Sequence, residues 1–533
     1  MFAQADNPPN IVLIIIDDLN DYPQGFGGHP QTITPHMKAL GDSGVRFLKA
    51  YSNNPMCGPS RASMFTGVYP HNSSNLWMKS WLHNEVLANT KTMMEKFKES
   101  GYYVVGSGKV LHHNKKEVWS NFKYPADYSP FPYAGDFDPN KKPISHPDVP
   151  APFRTNRIVD GLNMGGGFID GSYGPMRNFK NETFNGEPLR WVYGGFRSGK
   201  ELRYENNENR DLTPDEINAN WAEKQLFKLS QENNDKPFFL SVGFVRPHTP
   251  LIVPQNYFDL YPLETLQLAD ILTNDKLDTY LHLVNQFETP KRRTRSVEMF
   301  QNLVASYDNP LEGLKRFTQA YLACVTAVDD NVGKIMDVIN SSSLKENTVV
   351  ILTSDHGWTM GEKDHIYKNS LWEESTRVPL IIRLPKNRMS NSVVEHPVSL
   401  IDIYPTLLDL AGIEDTNTKK NELGHGLDGN SLVPFLNNPN TTEWSGPEGA
   451  LSVLYSGDVN KDIPSNHHYS VRTKNFRYII YNSGQEELYE TTTDPKEKNN
   501  LVFNASHPKI ASLRMLMQQI TYPIVPQGLK RIK

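Results

Sequence analysis

Cysteine is almost missing: Cys57 and Cys324 are the only two in 533 residues. That excludes a disulfide-knit scaffold and a multi-cysteine zinc site. Long apolar runs are missing too. The longest, residues 11–16, suits a buried strand and is far too short to cross a bilayer, so no transmembrane segment is expected. Charge of one sign is also scarce. Lys and Arg number 55 against 60 Asp and Glu, a formal net charge of −5, without the basic excess of a nucleic-acid or membrane-surface binder. No internal repeat or low-complexity tract occurs. The first ten residues carry neither a basic start nor an apolar stretch, and Ala3-Gln4-Ala5 has the small residues of a cleavage site, as after removal of a secretion signal.

What is present is enough apolar material for a sizeable core, 38% hydrophobic and 11% aromatic. Strand and helix signals alternate along the first two-thirds. Strands are predicted at 11–16, 102–105, 238–244, 349–352 and 378–384. Helices are predicted at 92–100, 218–231, 313–339 and 400–411, with Gly101 and Gly412 as stops. That alternation predicts an α/β fold with a large parallel or mixed sheet flanked by helices. Residues 121–210 are rich in Pro, Gly, Asn and aromatics without periodicity and read as a loop-rich insertion. Residues 437–449 read as a linker. Beyond it, 470–473, 477–481 and 487–489 alternate like short strands, with a turn at Asn482-Ser483-Gly484. The chain is therefore divided into a domain at 1–440 and a smaller one at 441–533 with a short antiparallel sheet.

Three groups of residues carry chemistry. The first is Cys57-Gly58-Pro59-Ser60-Arg61 followed by Thr66-Gly67, a loop entering a helix. A nearby arginine and a helix N-terminus both favour an anionic centre, which permits a thiolate but does not name a reaction. The second is Asp17-Asp18 at the end of one strand and Asp355-His356 at the end of another. Carboxylates converging at strand C-termini make an oxygen-rich cation site, and taken alone either pair is equally an ordinary turn or helix cap. The third is a scatter of bases: Lys109 and His112 after one strand, Arg246 and His248 after another, and Lys368. Singly, each is ordinary surface charge or a satisfied histidine.

Together these motifs resemble the type I, formylglycine-dependent sulfatases, whose signature is C-x-P-S-R with a downstream T-G. The forms Gly243-Phe244-Val245-Arg246-Pro247-His248 and Ser354-Asp355-His356-Gly357-Trp358 resemble the iduronate-2-sulfatase branch. So do 238–243 and Tyr261-Pro262-Leu263-Glu264. Val471-Arg472-Thr473, Glu487-Leu488-Tyr489 and Asp494-Pro495 resemble the family's small second domain. The resemblance implies an alkaline-phosphatase-like fold and hydrolysis of sulfate monoesters. It implies that Cys57 is matured to 3-oxoalanine by a formylglycine-generating or anaerobic maturase enzyme, and that its hydrate attacks sulfur. It further implies Ca²⁺, with Mg²⁺ as the alternative, held by Asp17, Asp18, Asp355, His356 and the residue at 57. Arg61, Lys109 and Lys368 would bind sulfate, His112 would act beside the formylglycine, and His248 over the leaving oxygen.

The implied alcohol is a sugar, such as a 2-O-sulfated uronate of ulvan, carrageenan or a glycosaminoglycan. Two cysteines suit a bacterial polysaccharide degrader, periplasmic or extracellular. Trp77, Trp81, His83, Arg246 and Trp358 are candidates to touch that sugar, because aromatic faces and arginine forks suit anionic sugars. Tyr173, Trp191, Tyr193, Arg197 and Arg203 in the insertion are further candidates, with plain loop packing as the alternative. A phosphonate or phosphodiester hydrolase sharing C-x-P-x-R, and a non-catalytic glycan-binding relative, are the competing readings.

Overall fold

The aliphatic run at 11–16 becomes a central strand of a nine-stranded mixed sheet. In chain order the strands are β1 (Asn10–Ile16), β2 (Val45–Tyr51), β3 (Tyr103–Gly108), β4 (Asn121–Phe122), β5 (Phe238–Phe244), β6 (Thr348–Ser354), β7 (Arg377–Arg383), β8 (Ser392–Val394) and β9 (Val398–Ser399). They lie side by side as β8-β2-β7-β6-β1-β5-β3-β4, with β9 also pairing β2. Pairing is parallel from β6 to β4 and antiparallel at β6–β7 and β7–β2. The computed structural model describes residues 8–532 apart from 155–157, 160–161, 164–166, 196–197, 232–235, 272–274, 281–294, 458–462 and 504.

β1 is hydrogen-bonded on both edges and covered on both faces, so it has no polar alternation. Val12, Ile14 and Ile16 enter the core under α1 (Pro35–Asp42), α3 (Pro214–Gln231) and α4 (Pro310–Ser341). Ile11, Leu13 and Ile15 enter the opposite core, under α2 (Cys57–Thr66) and α5 (Ile403–Leu410). The 32-residue α4 starts where Asn309 accepts the N–H of Leu311 and Pro310 occupies the first turn, where its missing donor costs nothing. The predicted helices and strands all form, most with slightly shifted ends. No described helix is long and apolar enough to cross a membrane.

The C-terminal sheet has four antiparallel strands, not three: β10 (Gly449–Leu454), β11 (His468–Thr473), β12 (Phe476–Ile480) and β13 (Glu486–Glu490). β10 begins at the last residue of the predicted linker. It is pinned to the chain just ahead of Cys57, where Val453 N donates to Asn53 O at 2.9 Å and Asn53 Nδ2 to Leu451 O at 2.8 Å. The smaller sheet therefore buttresses the segment that carries the signature cysteine.

The insertion is more ordered than its composition predicts. Phe131–Ala134, Glu187–Val192 and Thr183–Phe184 form a three-stranded sheet. Met176, Phe179, Leu189, Trp191 and Tyr193 pack beneath it in a cluster that Ile217 of α3 and Ile252 complete. Loop-like composition hid this because the strands are short and broken by Pro and Gly.

Candidate active site

Four neighbouring parallel strands, β6-β1-β5-β3, end at one edge of the sheet. Their register decides the site. Ile16 is level with Ser354 and with Phe244, and Gly243 with Gly108. The next residues are therefore Asp17-Asp18, Asp355-His356, the turn leading to His248, and Lys109. Open α/β sheets hold ligands at such strand ends. The last step needs two glycines. Gly108 has φ +81°, a Cβ there would lie 2.0 Å from Gly243 O, and one on Gly243 would lie 2.1 Å from Lys109 O.

α2 places Cys57 in its first turn and stops at Gly67, which is left-handed at φ 69°. All ten residues of α2 are buried. One turn on, Arg61 donates through Nη2 to Asp17 Oδ1 at 3.0 Å and through Nε to Asp355 Oδ2 at 2.8 Å. Its Nη1 donates to the carbonyls of Val110, at 2.8 Å, and Lys109. Cys57 Sγ lies 2.9 Å from Lys368 Nζ, 3.2 Å from His356 Nε2 and 3.9 Å from Asp18 Oδ1. Burial pushes the Cys57 thiol up, although Lys109 and Lys368 pull the other way.

Asp17, Asp18, Cys57 and His356 each offer a donor atom, and these atoms all lie within 4.8 Å of one another. Asp355 stands just behind them, its Oδ2 on Arg61 and 3.8 Å from His356 Nε2. The donors fit a divalent cation on two observations. Asp18 Oδ2 is buried without a hydrogen-bond partner. Asp18 is also raised to about 7, by burial first and then by Asp17 and Cys57, with Lys368 opposing. That is a carboxylate short of positive charge. Asp18 is itself left-handed, φ 61°, and Tyr321 Oη holds the turn by donating to Asp18 O at 2.8 Å and accepting Asn20 N at 3.1 Å.

Besides Arg61, two lysines face these acids. Lys109 Nζ pairs with Asp17, and Lys368 Nζ with Asp18 Oδ1 at 2.8 Å. Burial would raise Asp17, but Lys109 and Arg61 hold it well below the usual carboxylate range. His248 Nδ1 sits 2.6 Å from Thr249 O, and its Nε2 is 3.8 Å from Asp18 Oδ2. Burial, Lys368 and Lys109 drive His248 well below the ordinary histidine value. His112, half-buried, is lowered to about 3 by burial and Lys109, and its Nδ1 has no partner.

The expected sugar contacts are placed differently. Trp81 is a core residue whose Nε1 donates to His113 O at 2.9 Å. Trp358 is buried beneath Lys368, whose Nζ lies 5.8 Å from its ring centre, and Nε1 has no partner. Arg246 is buried and its guanidinium bonds to the carbonyls of Ile252, His248, Tyr128 and Ser129. Arg246 spends four N–H groups on backbone carbonyls and Trp81 spends its one donor, so these two are engaged in the fold rather than turned to a sugar. His83 is exposed, at the end of a short turn. Trp77 is half-buried against Tyr455 of the smaller domain, ring centres 4.6 Å apart. Trp191 and Tyr193 are insertion packing, Tyr173 lies in the main core against Phe317 of α4, Arg203 is a surface ion pair, and Arg197 lies outside the described residues. Sequence reasoning missed Tyr128, whose ring lies against both Lys109 and His248. It sits in an irregular stretch with no motif around it.

An alkaline-phosphatase-like α/β fold with paired acids at strand ends, a signature cysteine and buried cations around them defines a class: hydrolases of charged esters. The family model "Sulfatase" matches residues 9–413, and the chain belongs to that family, as a sulfuric ester hydrolase. The model "N-sulphoglucosamine sulphohydrolase, C-terminal" matches 361–522. A sulfatase of Formosa agariphila is 29% identical over 96% of this chain and 86% of its own length. A choline-sulfatase of Rhizobium meliloti is 27% identical over 94% and 83%, and an ulvan-active sulfatase of Formosa agariphila 26% over 94% and 78%. Among solved structures, one in complex with its substrate D-glucosamine-2-N,6-O-disulfate has a TM-score of 0.63 at 19% identity, covering 98% of this chain and 99% of that one.

Proposed function

We propose that this sulfatase removes sulfate from a sulfated carbohydrate, such as a 2-O-sulfated uronate of an algal or glycosaminoglycan polysaccharide, in the periplasm or outside the cell. The observation that carries this reading is the convergence on position 57 of Lys368, His356, Asp18 and the helix N-terminus. The ulvan-active relative supports the carbohydrate. In this reading a maturase oxidises Cys57 to formylglycine, whose hydrate supplies one hydroxyl for attack and a second for sulfate release. Asp17, Asp18, His356 and the oxygen at 57, with Asp355 behind, would hold Ca²⁺ or Mg²⁺, which withdraws charge from the sulfate and the attacking oxygen.

The chain's own residues do the rest. Arg61, Lys109 and Lys368 bring three positive charges to three carboxylates. A divalent cation then leaves the cleft net positive, as a sulfate monoester anion requires. Arg61 is fully engaged with Asp17 and Asp355, so it orients them, and the two lysines are the groups that reach sulfate. His248 fixes Nδ1 on Thr249 O and turns Nε2 toward the site, where the ester's charge would draw a proton onto it for the departing sugar oxygen. His112, whose Nδ1 has no partner, is the group that would take a proton from the second hydroxyl.

The test is sulfate release from ulvan, carrageenan and heparin-type oligosaccharides, with an aryl phosphodiester alongside. Wild type is compared with Cys57→Ala after peptide mass has established the aldehyde. Release from one sugar class, lost in the variant, is expected. Cleavage of the phosphodiester alone by aldehyde-bearing protein would replace this reading with the phosphodiesterase one.

A further inference from the structure

The insertion reaches the catalytic centre through Tyr128, a half-buried residue outside every recognised motif. One side of its environment is the insertion's own core of Phe131, Tyr133 and Val192. Toward the centre, Lys109 Nζ stands over the ring 4.8 Å from its centroid. The ring of His248 meets it at 5.0 Å and 70°, an edge-to-face contact. One aromatic side chain thus touches both the lysine that would bind sulfate and the histidine that would serve the leaving oxygen.

Arg246 holds this contact in place. Its Nη2 donates to the carbonyls of Tyr128 and Ser129 at 3.0 and 3.1 Å. Its Nε donates to Ile252 O at 3.1 Å and its Nη1 to His248 O at 3.4 Å. Asp215, at the start of α3, accepts the backbone N–H groups of Val245 and Arg246 at 2.8 and 2.9 Å. Thr249 Oγ1 adds a tie to Asp170 of the insertion at 2.6 Å. A planar guanidinium with five donors in a fixed fork holds two chain segments in a set geometry, which a flexible ammonium does less rigidly. The turn carrying His248 and the segment carrying Tyr128 are therefore one unit.

We propose that Tyr128 is a positioning residue of this active site, held by the Arg246 clamp, that fixes Lys109 and His248 relative to each other. The proposal rests on the roles given to Lys109 and His248 under the sulfatase reading. The physics is that of a flexible ammonium beside a rigid π face. Lysine has a four-carbon stem and no preferred direction, and a desolvated aromatic face attracts its ammonium. The ring edge likewise limits rotation of the imidazole, whose Nδ1 is already fixed on Thr249 O. Lys109 also donates a hydrogen bond to the phenol oxygen, so a Tyr128→Phe variant removes that bond and leaves the ring contact.

Three variants test it: Tyr128→Phe, Tyr128→Leu and Tyr128→Met. Each is assayed with an unactivated sugar sulfate and an activated aryl sulfate, with inhibition by inorganic sulfate and thermal melting measured in parallel. Phe keeps the π face and is expected within about threefold of wild type on every readout. Leu and Met fill the space without it. They are expected to lose roughly tenfold to a hundredfold in kcat on the sugar sulfate, less on the aryl sulfate, and to bind sulfate more weakly. Arg246→Lys is expected to share that signature. Leu and Met enzymes equal to wild type overturn the proposal. So does a Phe enzyme as impaired as Leu, which would move the role to the hydroxyl. Leu and Met proteins that fail to fold also overturn it, since the ring would then belong to the core. Wild type that releases no sulfate from any ester defeats the sulfatase reading itself, a result distinct from all of these.

Discussion

Arg61 joins Asp17 to Asp355, with Nη2 3.0 Å from one carboxylate and Nε 2.8 Å from the other. A single buried guanidinium thus couples the acids at the ends of β1 and β6. Lysine has the charge but not the fork, and its single nitrogen cannot reproduce the two separated donors that reach the two acids. Arg61→Lys is expected to cost about 3 kcal/mol of folding stability, the scale for breaking a buried ion pair. It is expected to lower kcat by roughly a hundredfold through misplaced acids. Denaturant unfolding and sulfate release measure both, and a variant as stable as wild type would show that the coupling is dispensable.

His248 has its Nε2 on the open side of Asp18, at 3.8 Å. An acid at that place matters only when the leaving group is a poor one. His248→Ala is expected to reduce turnover of sugar sulfates by about a hundredfold or more, and of an activated aryl sulfate by less than tenfold. Equal losses on both substrates would remove the proton-donor role.

Asp18 Oδ2 has no hydrogen-bond partner, and Asp18 is raised to about 7. Both features should vanish with a cation present. Adding Ca²⁺ to metal-stripped protein is expected to raise the melting temperature. The gain approaches about 2.7 kcal/mol at a hundredfold excess over Kd. Asp18→Asn is expected to abolish that shift. A melting temperature indifferent to Ca²⁺ and Mg²⁺ would reject the site, independently of any assay of activity.

Glu374 is buried away from these groups and raised to about 8, by burial and by Glu362, Glu497 and Asp21 against the pull of Lys496. Its folded value lies above its unfolded one, so the folded state prefers the neutral acid. That contribution is complete below the unfolded value and is lost as pH rises through about 8. Glu374→Gln is neutral at every pH. Relative to wild type it is expected to gain stability from pH 5 up to about 8 and to hold a constant lead above that, as read by melting temperature. A gap already constant from pH 5 up to about 8 would contradict the assignment.

Much of this was legible in one sequence. The run at 11–16 suited a buried strand, which put the acids after it at the strand's end. The C-x-P-S-R motif and its companions pointed to the family without any coordinates. The fourth C-terminal strand was not legible, because it begins inside a polar stretch and is defined by its partner β11. Nor was the packed core of the insertion, whose strands are too short to show a period.

The sequence by itself determined the reaction class, since covalent and metal chemistry demands particular side chains at short, recognisable spacings. Only the tertiary structure decided which of the remaining charged and aromatic residues reach the site. Arg246 and Trp358 stand inside the motifs yet are spent on backbone carbonyls and on packing under Lys368. Tyr128 stands outside them and touches two of the working groups. Burial and hydrogen-bond satisfaction depend on segments more than a hundred residues apart, as 128 and 246 are. No local pattern encodes that distance.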